Sequence, residues 1–151
     1  MRTIILALIV SLSVGCASTI YPTTIAQVAD DGTKVVQTAH QISLSAQSLS
    51  ASIPTVLTVP QAAVIVQGAY QIEVDGQKLA ALLTTYSQIK GTAQAPITAA
   101  SIDALIGDMD AALATVNKAI PVGTASAITS LAASILSLIG QIKSGLLLAG
   151  A

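Results

Sequence analysis

Small and apolar residues recur along this chain at alternating steps of three and four. In the first stretch they fall at Ile25, Val28, Gly32, Val35, Ala39, Ile42, Ala46, Leu49 and Ile53. A 3.5-residue rhythm keeps one stripe of a helix facing near-parallel or antiparallel neighbours, so the spacing predicts a helix over about 24–53. Thr24 with Gln27 has the form of a capping box, and Pro54 blocks continuation. Asp30-Asp31-Gly32 is a competing turn signal that would delay the helix to Thr33.

The second stretch opens at Thr58-Val-Pro-Gln61, another Thr followed three residues later by Gln, with proline tolerated in the first turn. Its stripe reads Ala62, Ile65, Ala69, Ile72, Gly76, Leu79, Leu83 and Tyr86, and Lys90-Gly91 forms a cationic, glycine-terminated end, giving a helix over 59–91. Residues 70–76 also alternate apolar with polar and end in Asp75-Gly76, which leaves a β-hairpin open as a reading of that segment. A third helix, 98–120, follows Pro96 with Ile102, Leu105, Met109, Ala112, Val116 and Ala119 inward. Asp103 and Lys118 complement the two ends of its dipole. A fourth, 124–148, carries Ile128, Leu131, Ile135, Leu138, Ile142 and Leu146.

Four long helices joined by short, proline-bearing connections predict an all-α, up-down-up-down four-helix bundle over residues 24–151. No fixed-length repeat supports a solenoid. Glycine inside a helix costs about 1 kcal/mol relative to alanine. Gly32, Gly68 and Gly76 therefore point to close helix approach, a habit shared with helices packed in membranes. Residues 119–142 carry no charge, which leaves a transmembrane helix or hairpin as the alternative architecture. The Ser, Thr and Gln of that stretch lie mainly off the Ile128-Leu131-Ile135-Leu138 seam, the layout of an amphipathic bundle helix.

Composition changes the surface expected of such a bundle. Hydrophobic residues make up 53% of the 151 positions and charged ones only 9%, so Ser, Thr, Gln and Ala must cover the outside. Phe and Trp are absent, and Tyr21, Tyr70 and Tyr86 are the only aromatics. A net charge of −1 with six scattered basic residues gives no electrostatic footprint for nucleic acid. Weak surface charge favours self-association or docking to a protein partner.

Candidate chemistry is sparse. His40 is the sole histidine and sits beside the seam residue Ala39, so a partly buried, hydrogen-bonded side chain is expected rather than a ligand or base. Asp103, Asp108 and Asp110 do not match a calcium loop and spread over different helix faces. Glu73 and Asp75 diverge on a helix and cannot work as a paired acid and base. No phosphate loop, nucleophile elbow or metalloprotease helix occurs, and no serine has a base marked out for it. The expectation is a non-enzymatic protein with no catalytic set, cofactor, metal or small-molecule substrate.

The amino terminus has a different character. Arg2 precedes an apolar run over residues 4–14, and Gly15 precedes Cys16, the only cysteine. That is the anatomy of a secretory leader. The run Leu12-Ser-Val-Gly-Cys16 resembles the lipobox of bacterial lipoproteins, with Ser13 where that pattern usually has Leu. The resemblance covers only the first 16 residues. It implies a signal peptide over 1–15, acylation of Cys16 with palmitate-type chains, a tether over 16–23, and attachment to a membrane through those chains. Ala17 after the cysteine implies the outer membrane, on its periplasmic face, as the destination within the cell envelope. Gly15-Cys16-Ala17 equally satisfies an ordinary signal peptidase, which would release a soluble secreted or periplasmic protein from Ser18, and an uncleaved leader is a third outcome. Two function classes follow. One is an anchored envelope lipoprotein with a structural or interaction role. The other is a membrane-active helical protein of pore-forming, phage-exclusion or lysis type.

Overall fold

A computed structural model describes residues 25–89, 95–122 and 126–148. Four helices account for nearly all of them: α1 (Ile25–Ser52), α2 (Val59–Ile89), α3 (Ala95–Ala119) and α4 (Ser126–Leu148). They form an up-down-up-down four-helix bundle, and no strand occurs among the described residues. The chain passes α1 to α2 to α3, and α4 returns to lie against α1. α1 and α2 share the most extensive interface, α2 with α3 and α1 with α4 follow, and α3 meets α4 only along a thin seam.

Helix boundaries follow local chemistry. Ser52 is the last helical residue of α1 because Pro54 cannot continue it. Its final carbonyls are met by the Ile53 amide, which donates to the Leu49 carbonyl at 2.8 Å. The predicted capping box at α2 is present in the half formed by the Gln61 side chain. The Thr58 backbone N–H donates to Gln61 Oε1 at 3.1 Å and the Thr58 hydroxyl to the same oxygen at 2.8 Å. The turn competing at Asp30-Asp31-Gly32 and the strand competing at 70–76 both give way to continuous helix. α3 starts three residues earlier than expected, at Ala95, because Pro96 sits in its first turn, where the missing N–H costs nothing. Lys90-Gly91 and the first residues expected of α4 lie outside the described residues, as does the candidate cap Thr24.

The core runs the full length of the bundle. Val28, Val35, Ala39, Ile42 and Ala46 of α1 face Ala62, Ile65, Ala69, Ile72, Leu79, Leu83 and Tyr86 of α2, all buried and all on the predicted stripes. Leu57 turns inward from the α1–α2 connection and plugs that end. On α3 and α4 the stripe is rotated. The buried residues are Ile102, Ile106, Met109, Leu113 and Val116 on α3, and Ile128, Ala132, Ile135, Ile139, Ile142 and Leu146 on α4. Leu105, Ala112, Leu131 and Leu138, expected at the centre, are half-buried on the flank. From one starting residue, steps of three-then-four and four-then-three describe stripes on adjacent flanks. The neighbour decides between them, and α3 and α4 each have only one extensive neighbour.

Candidate functional site: charge layout and helix seams

Cys16, the residue singled out for acylation, lies outside the described residues, as does the whole leader and tether. The candidate site that can be built is the surface of the bundle, starting with its ionisable groups.

His40 projects from α1 and is 59% exposed, more open than its place beside Ala39 predicted. Its Nδ1 lies 3.6 Å from Glu73 Oε2 on α2, so the pair bridges the two helices at the surface. Glu73 and Asp75 diverge as their spacing required. Glu73 turns toward His40, while Asp75 is buried and accepts hydrogen bonds from Gln71 Nε2 at 2.7 Å and Lys78 Nζ at 3.2 Å. Asp31 on α1 is also buried and accepts from Lys34 Nζ at 3.1 Å, and Lys34 reaches Asp30 at 2.7 Å as well. Hydrogen bonds to Asp30 and then Asp31 raise the Lys34 pKa above its ordinary value, so the ammonium stays charged across the physiological range. A buried carboxylate is costly unless satisfied, and each here has a lysine one turn away whose stem lies along the helix while its head stays wet.

These two aspartates occupy equivalent places. Gln27-Val28-x-x-Asp31-Gly32-x-Lys34-Val35 on α1 and Gln71-Ile72-x-x-Asp75-Gly76-x-Lys78-Leu79 on α2 are the same pattern. The antiparallel packing brings them together. A Cβ on Gly76 would lie 2.8 Å from Val36 Cγ2, and one on Gly32 would lie 3.9 Å from Ala80 Cβ. Reading the residues one stretch at a time missed this pairing, although the recurrence of the pattern was a signal available in the sequence. Its chemistry is that of a helix-crossing clamp: small residues allow approach, and the adjoining carboxylates are neutralised within their own helices.

On α3, Asp103 and Asp108 are exposed, and Asp110 meets Lys143 of α4 at 2.6 Å, one polar tie across the thin seam. Asp103 and Asp110, seven residues apart, share one face of α3, where Asp103 lines the same groove as Lys143, while Asp108 lies on another face, so two of the three carboxylates are not spread apart as expected. Among the described residues no group of three His, Cys, Asp or Glu side chains is placed to hold a metal ion, and no buried side-chain N or O lacks a partner. Beside the Asp110–Lys143 tie runs a groove of about 400 Å³ between α3 and α4, walled by Ile102, Ile106 and Leu146 with Asp103 and Lys143 at its mouth. Gly107 lines it, and a Cβ there would meet nothing within 4 Å.

α4 is the one described helix long and apolar enough, over Ser126–Leu146, to cross a membrane. In the bundle its Ile128-Ile135-Ile142 stripe is buried against its neighbours. Comparison of the chain with protein-family models, curated proteins and solved structures finds no match in any of the three.

Proposed function

We propose that this chain is a cell-envelope lipoprotein, anchored at the periplasmic face of the outer membrane through acyl chains on Cys16, with a non-enzymatic structural or protein-interaction role. The observation that carries the reading is the placement of a lipobox-like cysteine just ahead of a bundle whose core begins at Val28. A short tether then joins the anchor to a finished domain. One acyl chain binds membranes marginally, and two or three hold stably. The low surface charge supports a protein partner or self-association, and nothing on the bundle supports nucleic acid or a small-molecule substrate as its partner.

A second reading, a membrane-active protein whose helices open and insert, is favoured by one feature. α4 combines the length and composition of a span with a thin seam to α3. Its apolar stripe is engaged in the core, so insertion would first have to open the bundle.

Intact mass of the protein from a Gram-negative host, beside a Cys16→Ser variant and with detergent fractionation, tests both. A chain starting at Cys16 with added acyl mass, whose membrane association the variant loses, is the expected result. A soluble chain starting at Ser18 would overturn the anchor. A processed Cys16→Ser chain that stays in the membrane would move the second reading ahead.

A further inference from the structure

The recurrence on α1 and α2 has a counterpart on the other two helices. Ala99-Ala-Ser-Ile-x-x-Leu-Ile-Gly107 on α3 and Ala132-Ala-Ser-Ile-x-x-Leu-Ile-Gly140 on α4 are the same pattern. On that alignment Asp110 corresponds to Lys143, and these two side chains meet across the seam. The bundle therefore has an approximate two-fold axis through that pair and the α1–α2 crossing, exchanging α1 with α2 and α3 with α4. A groove lies on either side of the pair. One, of about 400 Å³, has Ile106, Gly107 and Leu146 on its walls, and the other, of about 320 Å³, has Ile139, Gly140 and Leu113 in the matching places.

The two grooves differ in where they open. Helices α1 and α3 start, and α4 ends, at one pole of the bundle. At 1.5 Å per residue, Leu146 is about 3 Å and Ile106 about 17 Å below that pole, so the first groove is beside it and the second lies toward the opposite pole. The described walls of the first are aliphatic, from Ala99, Ile102, Ile106 and Leu146, with no aromatic ring, and Asp103 and Lys143 stand at its mouth. Gly107 leaves it open, since a Cβ there would meet nothing within 4 Å. Its volume is in the range of about 300–1,000 Å³ usual for small-ligand pockets. A protein partner would need a broader face.

The chain ahead of α1 brings its own occupant within reach. The groove lies across α4 from α1, about 20 Å away at the usual spacing of packed helices. Extended, the stretch from Cys16 to Ile25 spans up to about 30 Å, and it joins the bundle at the pole where the groove opens. An unbranched acyl chain on Cys16 is narrow, apolar and without ring or branch, which suits a trench with aliphatic walls. A tether this short holds that chain near the groove at an effective concentration on the order of millimolar, an advantage that a free amphiphile lacks.

We propose that the groove beside Gly107 takes up one acyl chain of Cys16. This rests on the lipoprotein reading and adds a second location for the lipid. Ile102, Ile106 and Leu146 cover the methylenes, while Asp103 and Lys143 stay at the mouth, where the ester end of the chain remains wet. The consequence is a reversible anchor. When one of two chains moves into the groove, the other is left alone in the bilayer, and a single chain binds only marginally. The protein can then leave one membrane and reach another without exposing the whole of its lipid to water.

The internal repeat supplies a matched control. Gly107→Leu fills this groove and Gly140→Leu fills its counterpart, in each case where a Cβ meets open space. The protein is purified from a Gram-negative host, its acyl mass is verified, and its transfer from donor to acceptor phosphatidylcholine vesicles is timed. Gly107→Leu should slow transfer by at least about tenfold, the equivalent of no longer burying about two methylenes, and Gly140→Leu should leave it unchanged. The unfolding midpoint of each variant on a Cys16→Ser background should not fall, which separates a filled groove from a damaged fold. Below the critical micelle concentration of the detergent, amides in 99–107 and 143–146 should exchange more slowly in the acylated chain than in Cys16→Ser. A chain without acyl mass would overturn the lipoprotein reading and the groove together. Acyl mass with equal transfer of the two glycine variants, or with unchanged exchange in those segments, would overturn the groove alone.

Discussion

Where α1 crosses α2 and α2 crosses α3, the helices approach so closely that only glycine fits; where α3 faces α4, glycine stands beside empty space. A Cβ on Gly68 would lie 2.6 Å from Val116 Cγ2 and 3.3 Å from the Ala112 carbonyl, and one on Gly76 would meet Val36. On Gly107 or Gly140 it would meet nothing within 4 Å. The same residue type therefore has two meanings in one bundle. In the first region the helix-propensity cost is offset by tight packing, and in the second it is unreturned, beside a groove and, among the described residues, a single surface ion pair. Among the described residues the hairpin of α1 and α2, with α3 docked on it, is the most extensively packed part, and the α3–α4 seam is the thinnest.

The sharpest way to break this contrast is to cut side chains on each side of it. Ile72→Ala, in the fully buried centre of α2, is expected to lower unfolding free energy by about 2–5 kcal/mol. Leu146→Ala, on the wall of the groove, should fall at the low end of that range or below it. Urea titration of both variants gives the comparison. A cost at Leu146 equal to that at Ile72 would mean that the seam is as well packed as the hairpin. Next in size is overpacking: Gly76→Val is expected to destabilise by about 1–3 kcal/mol, because Val36 and its backbone neighbours cannot all give way. Gly107→Ala and Gly140→Ala should do the reverse, each raising stability by about 0.5–1 kcal/mol in thermal melts. Smallest is the tie across the seam. Both partners are substantially exposed, so a double-mutant cycle on Asp110→Asn and Lys143→Met should return a coupling of about 0.2–1 kcal/mol that shrinks with salt. Amide exchange adds a residue-level view, with α4 expected to open before α1 and α2.

How much of this was legible in the sequence differs between the same regions. The inward residues of α2 could be read one by one, from Ala62 to Tyr86, because that helix has extensive neighbours on both sides and a single stripe satisfies them. The buried stripe of α1 follows its spacing from Val28 to Ala46; Leu49 after it is only half-buried, and Ile53, beyond the last helical residue, turns out to solvent. On α3 and α4, Leu105 or Ile106 and Leu138 or Ile139 offered equivalent rhythms. The choice rests on where a neighbour lies, which is a property of the assembled bundle. Burial of Asp31 and Asp75 ran against the usual reading of charged residues, and the lysine three positions later was the available clue. His40 was placed too deep for a similar reason, since a position next to a seam residue can point either way.

Even-numbered, antiparallel topology has a mechanical consequence for the thin seam. Ile25 and Leu148 emerge at the same pole, so tension applied between these two residues does not slide the helices along one another. It peels α4 away from α1 turn by turn, with little resistance from α3. A load applied along the long axis, from the start of α1 to the α1–α2 connection, instead stretches a single helix braced by two neighbours. The bundle is thus compliant to forces that separate its termini and stiff to forces that run from pole to pole.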